Sequence, residues 1–447
     1  MRSLFANRNF RRLFAGRLIT NVGDSLYFVA ATWLVYDLTG NPAFSGLAGF
    51  LVMAPQALQA FAGPLVDRWD LRRVLVGTQV VQGVVILSLP IVAHLGWLSV
   101  WVVLTVMPLL SLLNQFVYPA QSAALPRIVD DDELVGANSL FSLAYQGTEL
   151  VANAAAGVLV ALVGAVAMFA IDSVTFAAAA LLFATVQVPA AGAGDTDPAD
   201  AGAPTDPPAA NADASETGAA VADGGSEPVD EGATDDPESY RDSLLEGISF
   251  VRGTVLVPIV LGATVVNFVA SGATIGILPA FADSLGGAGA YGALMASMAG
   301  GMLVGAIVAS SLDDLPFGRL TIGSFLLSGV LWIAAVTVAW LPGTVALLAL
   351  AAVPIGASNV LLSSVVQSVV PDRLLGRVSG LLGSASTAAV PIGALLGGAF
   401  ASVFGPAVVL AAGGASVLLL ACYWLVHPRL RRMGPVSEAK TLQTDAV

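Results

Sequence analysis

Long apolar runs separated by short polar turns make up most of this chain. A helix needs about 20 apolar residues to cross a membrane, and the chain supplies two sets of such runs. The first set comprises residues 13–36, 43–66, 74–93, 98–119, 136–163 and 165–188. The second set comprises residues 256–282, 291–312, 320–340, 344–367, 375–404 and 407–426. The pattern predicts an all-α polytopic membrane protein with twelve transmembrane helices.

The stretch between the two sets, residues 189–238, is rich in Ala, Gly, Asp, Pro, Ser and Thr and has no aromatic residue. It buries too little apolar surface to offset the entropy of ordering, so we expect a disordered linker. Ser239 and Asp242 then have the spacing of a capping box, which predicts an amphipathic surface helix. The predicted organisation is a six-helix bundle (1–188), an acidic linker (189–238), a surface helix (239–253), a second six-helix bundle (254–427) and a tail (428–447).

Composition supports a membrane protein. Charged residues make up only 11% of the 447, against about 25% in soluble domains. The formal net charge is −13, but 13 of the 31 acidic residues lie between Asp195 and Glu238, where no Lys or Arg occurs. The acidity therefore belongs mainly to the linker, and no nucleic-acid partner is expected.

Scarce residue types exclude several kinds of chemistry. Lys440, in the tail, is the one lysine of the sequence, which excludes a phosphate-binding loop of the Walker A type and a Schiff-base lysine in a folded site. Cys422 and two histidines are too few for a zinc or disulfide framework. We therefore expect no enzyme and no cofactor or metal. Seventeen arginines and an Asp-rich linker fit a high-GC microbe in high salt, such as a halophile, although GC bias alone explains the arginines.

The distribution of basic residues sets the expected topology. With twelve spans, all 18 Lys and Arg residues fall on one side of the membrane or at its boundary. A shift by one span would scatter Arg127 and Arg319, among others, over both sides. The positive-inside rule then places both termini in the cytoplasm of a multi-pass protein of the plasma membrane.

The two halves of the chain also resemble one another. Asp67 lies 30 positions after Asp37, and Asp313 lies 30 positions after Asp283. A six-plus-six duplication predicts a transporter whose substrate path lies between the halves near the middle of the membrane.

Five segments carry a resemblance to a known family: residues 7–11, 22–24, 33–40, 63–73 and 371–378. In these segments the chain resembles the major facilitator superfamily, in the branch of drug and siderophore exporters that includes macrolide efflux and enterobactin export proteins. The resemblance implies two pseudo-symmetric six-helix bundles and secondary transport by alternating access.

The resemblance also implies a cytoplasmic gate. Asp67 would lie near the start of the eleventh helix and pair with nearby arginines in the outward-open state, at the positive end of a helix dipole. The gating residues predicted in this way are Gly63, Asp67, Arg68, Arg72, Arg73, Asp372, Arg373 and Arg377. Asp70 departs from the family, where many members have Gly, and Leu71 stands where this branch often has Arg. The alternative is that the arginines only anchor the topology.

Few acidic residues lie inside the spans. Asp24 falls near the middle of the first span, Glu149 near the middle of the fifth and Asp172 in the outer part of the sixth. The sequence gives them no evident basic partner, and the nearest, Arg17, is two turns from Asp24. An unpaired acid in a low dielectric favours its protonated form, as a proton-coupling site requires. The alternative is a permanently protonated acid that bonds a neighbouring helix.

Polar residues inside the spans are candidates for the lining of a cavity, although such residues also join helices to one another. The proton-coupling and substrate candidates are Asp24, Glu149, Asn21, Tyr27, Asn114, Gln115, Gln146, Asn267 and Asn359. They predict an apolar cavity with scattered amides and one or two acids, which suits lipophilic or cationic solutes better than sugars.

We therefore predict a monomeric secondary transporter, a proton-coupled exporter of lipophilic or amphipathic small molecules. Its partners are the substrate, protons and the lipid bilayer. Two alternatives stay open: uptake or lysolipid-type translocation on the same scaffold, and a membrane sensor or assembly factor that does not transport. Antiporters of the family usually have a Gly-Pro pattern in the fifth span, but residues 152–157 read Ala-Asn-Ala-Ala-Ala-Gly, so the direction of transport also stays open.

Overall fold

The computed structural model describes residues 2–58, 65, 66, 69–189, 254 and 256–435. Every regular element among these residues is helical. The helices of the first half are α1 (Arg8–Thr39), α2 (Pro42–Met53, continued by a 3-10 turn at Ala54–Leu58), α3 (Leu71–His94), α4 (Val100–Arg127), α5 (Leu134–Val163) and α6 (Ala165–Ala184). Those of the second half are α7 (Leu256–Asp283), α8 (Ala288–Ala309), α9 (Phe317–Thr337), α10 (Leu341–Val369), α11 (Asp372–Phe404) and α12 (Pro406–Val426).

Nine helices in the described part of the chain are long and apolar enough to cross a membrane. The other three of the set are α2, α5 and α11, which occupy the places of the second, fifth and eleventh predicted spans. The prediction of an all-α polytopic membrane protein is confirmed.

Capping residues account for the bounds of α1. The side chain of Asn7 accepts hydrogen bonds from the backbone N–H groups of Asn9 (2.9 Å) and Phe10 (3.1 Å), so the helix begins at Arg8, five residues before the predicted span. The helix ends at Thr39 and is capped by Gly40, whose φ of 61° is a left-handed conformation that glycine adopts without strain.

One feature of α7 is absent from the prediction. Residues Asn267–Gly272 form a π-helical turn in the middle of the span. On this turn, a Cβ atom at Gly272 would lie 2.5 Å from the carbonyl oxygen of Val390 and 2.8 Å from the Cα atom of Gly393. The backbones of α7 and α11 are therefore in direct contact at this turn.

The helices of each half run between two ends of the molecule. The basic end carries Arg8, Arg72, Arg127, Arg319 and Arg431. The far end carries the turns at residues 40–41, 95–99, 164, 284–287, 338–340 and 405.

At the far end the two halves touch through their backbones. A Cβ atom at Gly292 of α8 would overlap the backbone of Gly157 of α5. A Cβ atom at Gly46 of α2 would lie 2.8 Å from the Cα atom of Gly398 of α11. We call these two glycine crossings the far-end seal.

Side chains add to the contact between the halves. The hydroxyl groups of Thr32 on α1 and Tyr291 on α8 lie 2.9 Å apart within hydrogen-bonding distance. The ring of Trp33 stacks on Tyr291 with centroids 5.9 Å apart. Tyr36 donates a hydrogen bond of 3.3 Å to the carboxylate of Asp283.

Several predicted segments lie outside the described residues. They are the linker from residue 190, the surface helix at residues 239–253 and the tail from residue 436. The beginning of the tail is described, and it forms a short helix, Pro428–Arg431. The backbone N–H groups of Phe317 and Gly318 at the start of α9 donate to the carbonyl oxygens of Gly434 (3.1 Å) and Met433 (3.3 Å).

Candidate functional site

A polar row lies on one face of α1, where Arg17, Asn21 and Asp24 follow one another at helical spacing. Arg17 is 6% exposed and Asn21 is 8% exposed. Arg17 and Asn21 line a space between α1, α2, α4 and α5, and Asp24 lines the continuation of that space. The row therefore presents a guanidinium, an amide and a carboxylate to the interior of the first bundle.

That space is a cavity of about 440 Å³. Its lining residues are Arg17, Asn21, Gln56, Asn114, Gln115, Tyr118, Gln121, Ser122, Asn138, Phe141, Ser142 and Tyr145. Eleven of these twelve side chains are polar, so the cavity is more polar than the sequence predicts. Tyr118 is 57% exposed and Tyr145 is 52% exposed, so more than half of the surface of each of these two lining residues is accessible.

A second cavity of about 320 Å³ continues from the first toward the second half of the molecule. It shares Arg17 and Asn21 with the first cavity and adds Asp24. Ile275 of α7 and Met295 of α8 close it from the other side. The polar row on α1 thus extends to the interface between the two halves.

Asp24 has a partner that the sequence does not reveal. The side-chain amide of Asn114 on α4 donates a hydrogen bond of 3.3 Å to Asp24 Oδ2. The sequence analysis expected Asp24 to have no evident partner, and the structure corrects this expectation because Asn114 bonds the carboxylate. Spacing along one helix identifies the face of α1, but it does not show which residues of α4 pack against that face.

Tyr27 and Gln115 also lie beside Asp24, around a smaller cavity of about 100 Å³. The hydroxyl group of Tyr27 is buried and has no hydrogen-bond partner within the protein. Gln115 donates a hydrogen bond of 2.8 Å to the carbonyl oxygen of Ser111 on its own helix. Five predicted candidates, Asp24, Asn21, Tyr27, Asn114 and Gln115, therefore meet in one region.

Asp172 lies behind this region and is absent from the lining of the three cavities described above. Its side chain is fully buried, and Oδ1 accepts a hydrogen bond of 2.8 Å from Thr175. The carboxylate approaches α1 at Gly23, where a Cβ atom would overlap Oδ1. Asp172 is thus held between α6 and α1.

Other predicted residues do not join the site. Asn267 lies in the π-helical turn of α7, where the hydroxyl group of Ser271 is 3.4 Å from its Oδ1. Asn359 is exposed on α10. Neither residue is among those that line the three cavities. Gln146 and Glu149 belong to α5, but their side chains lie outside the described part of the structure.

The predicted gating residues are described only in part. Gly63, Asp67 and Arg68 lie outside the described residues, as do the side chains of Asp372, Arg373 and Arg377 in the first turns of α11.

Arg72, Arg73 and Asp70 make contacts within the first bundle. Arg72 donates a side-chain hydrogen bond to the carbonyl oxygen of Ala184 at the end of α6. Asp70 accepts a hydrogen bond of 2.9 Å from the backbone N–H of Arg73 and so caps α3. The cytoplasmic gate stays a prediction.

Several lining residues were missed, although the sequence contains a signal for them. Polar residues recur every three or four positions near the end of α4, at Tyr118 and Gln121, and near the start of α5, at Asn138, Ser142 and Tyr145. This spacing marks a polar stripe on one face of an otherwise apolar helix. Among the described residues, no group of three or more His, Cys, Asp or Glu side chains could hold a metal ion.

Comparisons with known proteins agree with this architecture. The profile of a family described as "Transmembrane secretion effector" matches residues 3–198, and the profile of the Major Facilitator Superfamily matches residues 260–444. The multidrug efflux pump Tap of Mycolicibacterium fortuitum is 24% identical over 442 residues, which cover 95% of this chain and 97% of that protein. Macrolide efflux protein A of Streptococcus pyogenes is 28% identical over 188 residues, or 41% of this chain and just under half (45%) of that relative's length.

A solved structure shares the fold. The crystal structure of a bacterial homolog to the human lysosomal transporter Spinster, in an inward-facing and unoccupied conformation, has a TM-score of 0.63 at 13% identity and covers 97% of both chains. The two profiles match one half of the chain each, and the chain therefore belongs to the major facilitator superfamily of transporters and is similar to its drug exporters.

Proposed function

We propose that this transporter is a proton-coupled exporter of lipophilic or amphipathic small molecules that works by alternating access. The observation that carries the proposal is the position of Asp24. This acid lies in a cavity at the interface between the halves and is hydrogen-bonded to a second helix by Asn114. A carboxyl group at that place can change its protonation when the cavity changes the side to which it opens.

The far-end seal supports alternating access. The halves touch at that end, whereas the cavity lies between the seal and the basic end. Opening the seal while the basic end closes would expose the same residues to the other side. By the positive-inside rule, the basic end faces the cytoplasm and the protein lies in the plasma membrane with both termini inside.

The relatives support the direction of transport. Two of them are named as a macrolide efflux protein and a multidrug efflux pump. We extend the efflux direction to this chain and propose that it acts as a monomer, since each chain contains both halves of the cavity interface.

The test is accumulation of a panel of lipophilic cations, anions and neutral drugs in cells that express the protein, with and without a protonophore. The wild type is compared with Asp24→Asn, with the Asp24→Asn/Glu149→Gln double variant and with Asp37→Asn, a control at the exposed far end of the same helix. An asparagine at position 24 keeps an acceptor for Asn114 but cannot release a proton.

We expect lower accumulation with the wild type and with Asp37→Asn, and loss of this effect with the protonophore and in both Asp24 variants. Protein level in the membrane is measured for each variant. Higher accumulation than in empty cells would instead indicate uptake. Unchanged accumulation across the panel, with the protein present in the membrane, would contradict export and favour a sensor or a narrow-substrate transporter.

A further inference from the structure

We propose that Arg17 is an anion-binding group and that the substrates of this transporter are amphipathic anions. The proposal rests on the proposed transport function and names the class of substrate for the same cavity. The ligand group can be a carboxylate, a sulfonate or a phosphate, because these three share the chemistry that a guanidinium recognises.

The first argument is the state of the guanidinium group. Arg17 is 6% exposed, and its Nε and Nη1 atoms are buried without a hydrogen-bond partner in the protein. A buried cation that keeps unpaired N–H groups is costly. Such a cost is commonly retained where a ligand completes the site. Asp24, on the same helix face, has its Oδ2 atom engaged by Asn114.

The second argument is the charge of the larger cavity. Arg17 is the one charged residue among the twelve that line the 440 Å³ cavity, and the other polar groups are amides and hydroxyls. Asn21, Gln121 and Ser122 belong to the same lining and can each donate a hydrogen bond. Asp24 lines the adjoining cavity and not this one, so the 440 Å³ cavity, with one positive charge and many neutral donors, favours an anion over a cation.

The third argument concerns the rest of the ligand. The adjoining 320 Å³ cavity contains Phe28, Val52, Met53, Ile275 and Met295 beside its polar residues. Phe28, Val52 and Met53 belong to the first half of the molecule, and Ile275 and Met295 belong to the second half. A ligand whose charged group reaches Arg17 can therefore place an apolar body against both halves, which is the arrangement of an amphipathic anion.

The experiment measures binding with three probes that share a naphthalene ring: 1-naphthoate, 1-naphthamide and 1-naphthylmethylammonium, which are anionic, neutral and cationic. The full chain is placed in nanodiscs of phosphatidylcholine. Direct binding of tritiated 1-naphthoate and competition by the other two give three dissociation constants. No proton gradient is needed, so binding is tested separately from transport.

We expect 1-naphthoate to bind at least about tenfold more tightly than the amide, because a charge-assisted pair contributes more than a neutral hydrogen bond. Arg17→Gln is expected to remove this preference and Arg17→Lys to keep part of it. Arg127→Gln, which changes an exposed arginine outside the cavity, serves as the matched control. Unchanged binding of the amide by Arg17→Gln shows that its cavity is intact.

The proposal fails if the acid does not bind at concentrations up to about 10 mM, which corresponds to a negligible affinity. It also fails if the cation binds more tightly than the acid, or if Arg17→Gln keeps the preference for the acid. Selective binding of the acid together with absence of proton-driven export would overturn the proposed function and leave the anion site standing. Proton-driven export of cations without binding of the acid would overturn the anion site and leave the proposed export function standing.

Discussion

Two buried tyrosines, one on the first helix and one on the eighth, differ in the hydrogen bonding of their hydroxyl groups. Both side chains are buried, Tyr27 at 6% exposure and Tyr291 at 2%. The hydroxyl group of Tyr291 lies 2.9 Å from that of Thr32, whereas the hydroxyl group of Tyr27 has no partner within the protein. A buried polar group without a partner costs about 1–3 kcal/mol, and a typical hydrogen bond contributes about 1 kcal/mol.

Substitution by phenylalanine should therefore have different effects on the free energy of unfolding at the two positions. Tyr291→Phe is expected to lower the free energy of unfolding by about 1 kcal/mol, and Tyr27→Phe to leave it unchanged or raise it. The measurement is the thermal midpoint of the purified protein in detergent, followed by tryptophan fluorescence. A larger loss in Tyr27→Phe than in Tyr291→Phe would show that water or a solute bonds Tyr27.

At this scale the sequence identifies the acids and amides of α1 but not their partners. Asn21 and Asp24 share a helix face because of their spacing. The pairing of Asp24 with Asn114 joins residues that are 90 positions apart, and it depends on how α4 packs against α1. The exposure of Arg17 likewise depends on the surrounding helices, so its role was not predictable from the row on α1.

At the scale of the helices, the predicted spans agree well with the structure because hydropathy alone determines which segments can lie in lipid. The helices of the structure begin earlier than the predicted spans where a capping residue extends them. Asn7 starts α1 at Arg8, and Asp70 starts α3 at Leu71, in both cases before the predicted apolar run. Asp70, which departs from the family pattern, therefore has a structural role.

The cap at Asp70 can be tested by three substitutions. Asp70→Ala should cost about 1 kcal/mol of stability because the backbone N–H of Arg73 loses its acceptor. Asp70→Asn keeps an acceptor and should be close to the wild type, and Asp70→Gly should cost only a few tenths of a kcal/mol. The thermal midpoints of the variants in detergent give the order of their stabilities. Equal midpoints for Asp70→Ala and Asp70→Asn would contradict a capping role.

The π-helical turn of α7 could not be predicted from the hydrophobic pattern. The run from residue 256 to 282 is mostly apolar with a few scattered polar residues, and a change from α-helical to π-helical hydrogen bonding leaves that pattern unaltered. The turn lies where Gly272 meets the backbone of α11. The position of the turn therefore coincides with a contact between α7 and α11, which the hydrophobic pattern does not encode.

At the scale of the whole molecule, the far-end seal depends on the absence of side chains. Gly157 and Gly292 let the backbones of α5 and α8 come into direct contact. The sequence shows these glycines, but only the packed structure shows that they face one another across the two halves. Periodicity along one helix carries no information on which helix of the other half it meets.

A single methyl group should therefore bias the conformation. Gly292→Ala places a Cβ atom against backbone that cannot move aside, so we expect the population to shift toward a state with the far end open. The matched control is Gly300→Ala on the same helix, where a Cβ atom meets nothing within 4 Å. The readout is the distance between spin labels at Leu38→Cys and Ser284→Cys in a Cys422→Ser background.

Gly292→Ala should add a population at longer distance, whereas Gly300→Ala should give the wild-type distribution. Both label positions are exposed at the far end, so the labels do not disturb the packed core. An unchanged distribution in Gly292→Ala would show that the glycine crossing does not hold the two halves together.

Because the far-end seal consists of glycine backbones, its strength should not depend on the ionic strength of the solution around the transporter. Dissolved ions screen the attraction between charged groups, with a Debye length of about 8 Å at physiological ionic strength and about 3 Å at 1 M. Close packing of glycine backbones involves no net charge, so screening leaves it unchanged. The glycine crossings should therefore contribute as much to closure of the far end at high salt concentration as at low salt concentration.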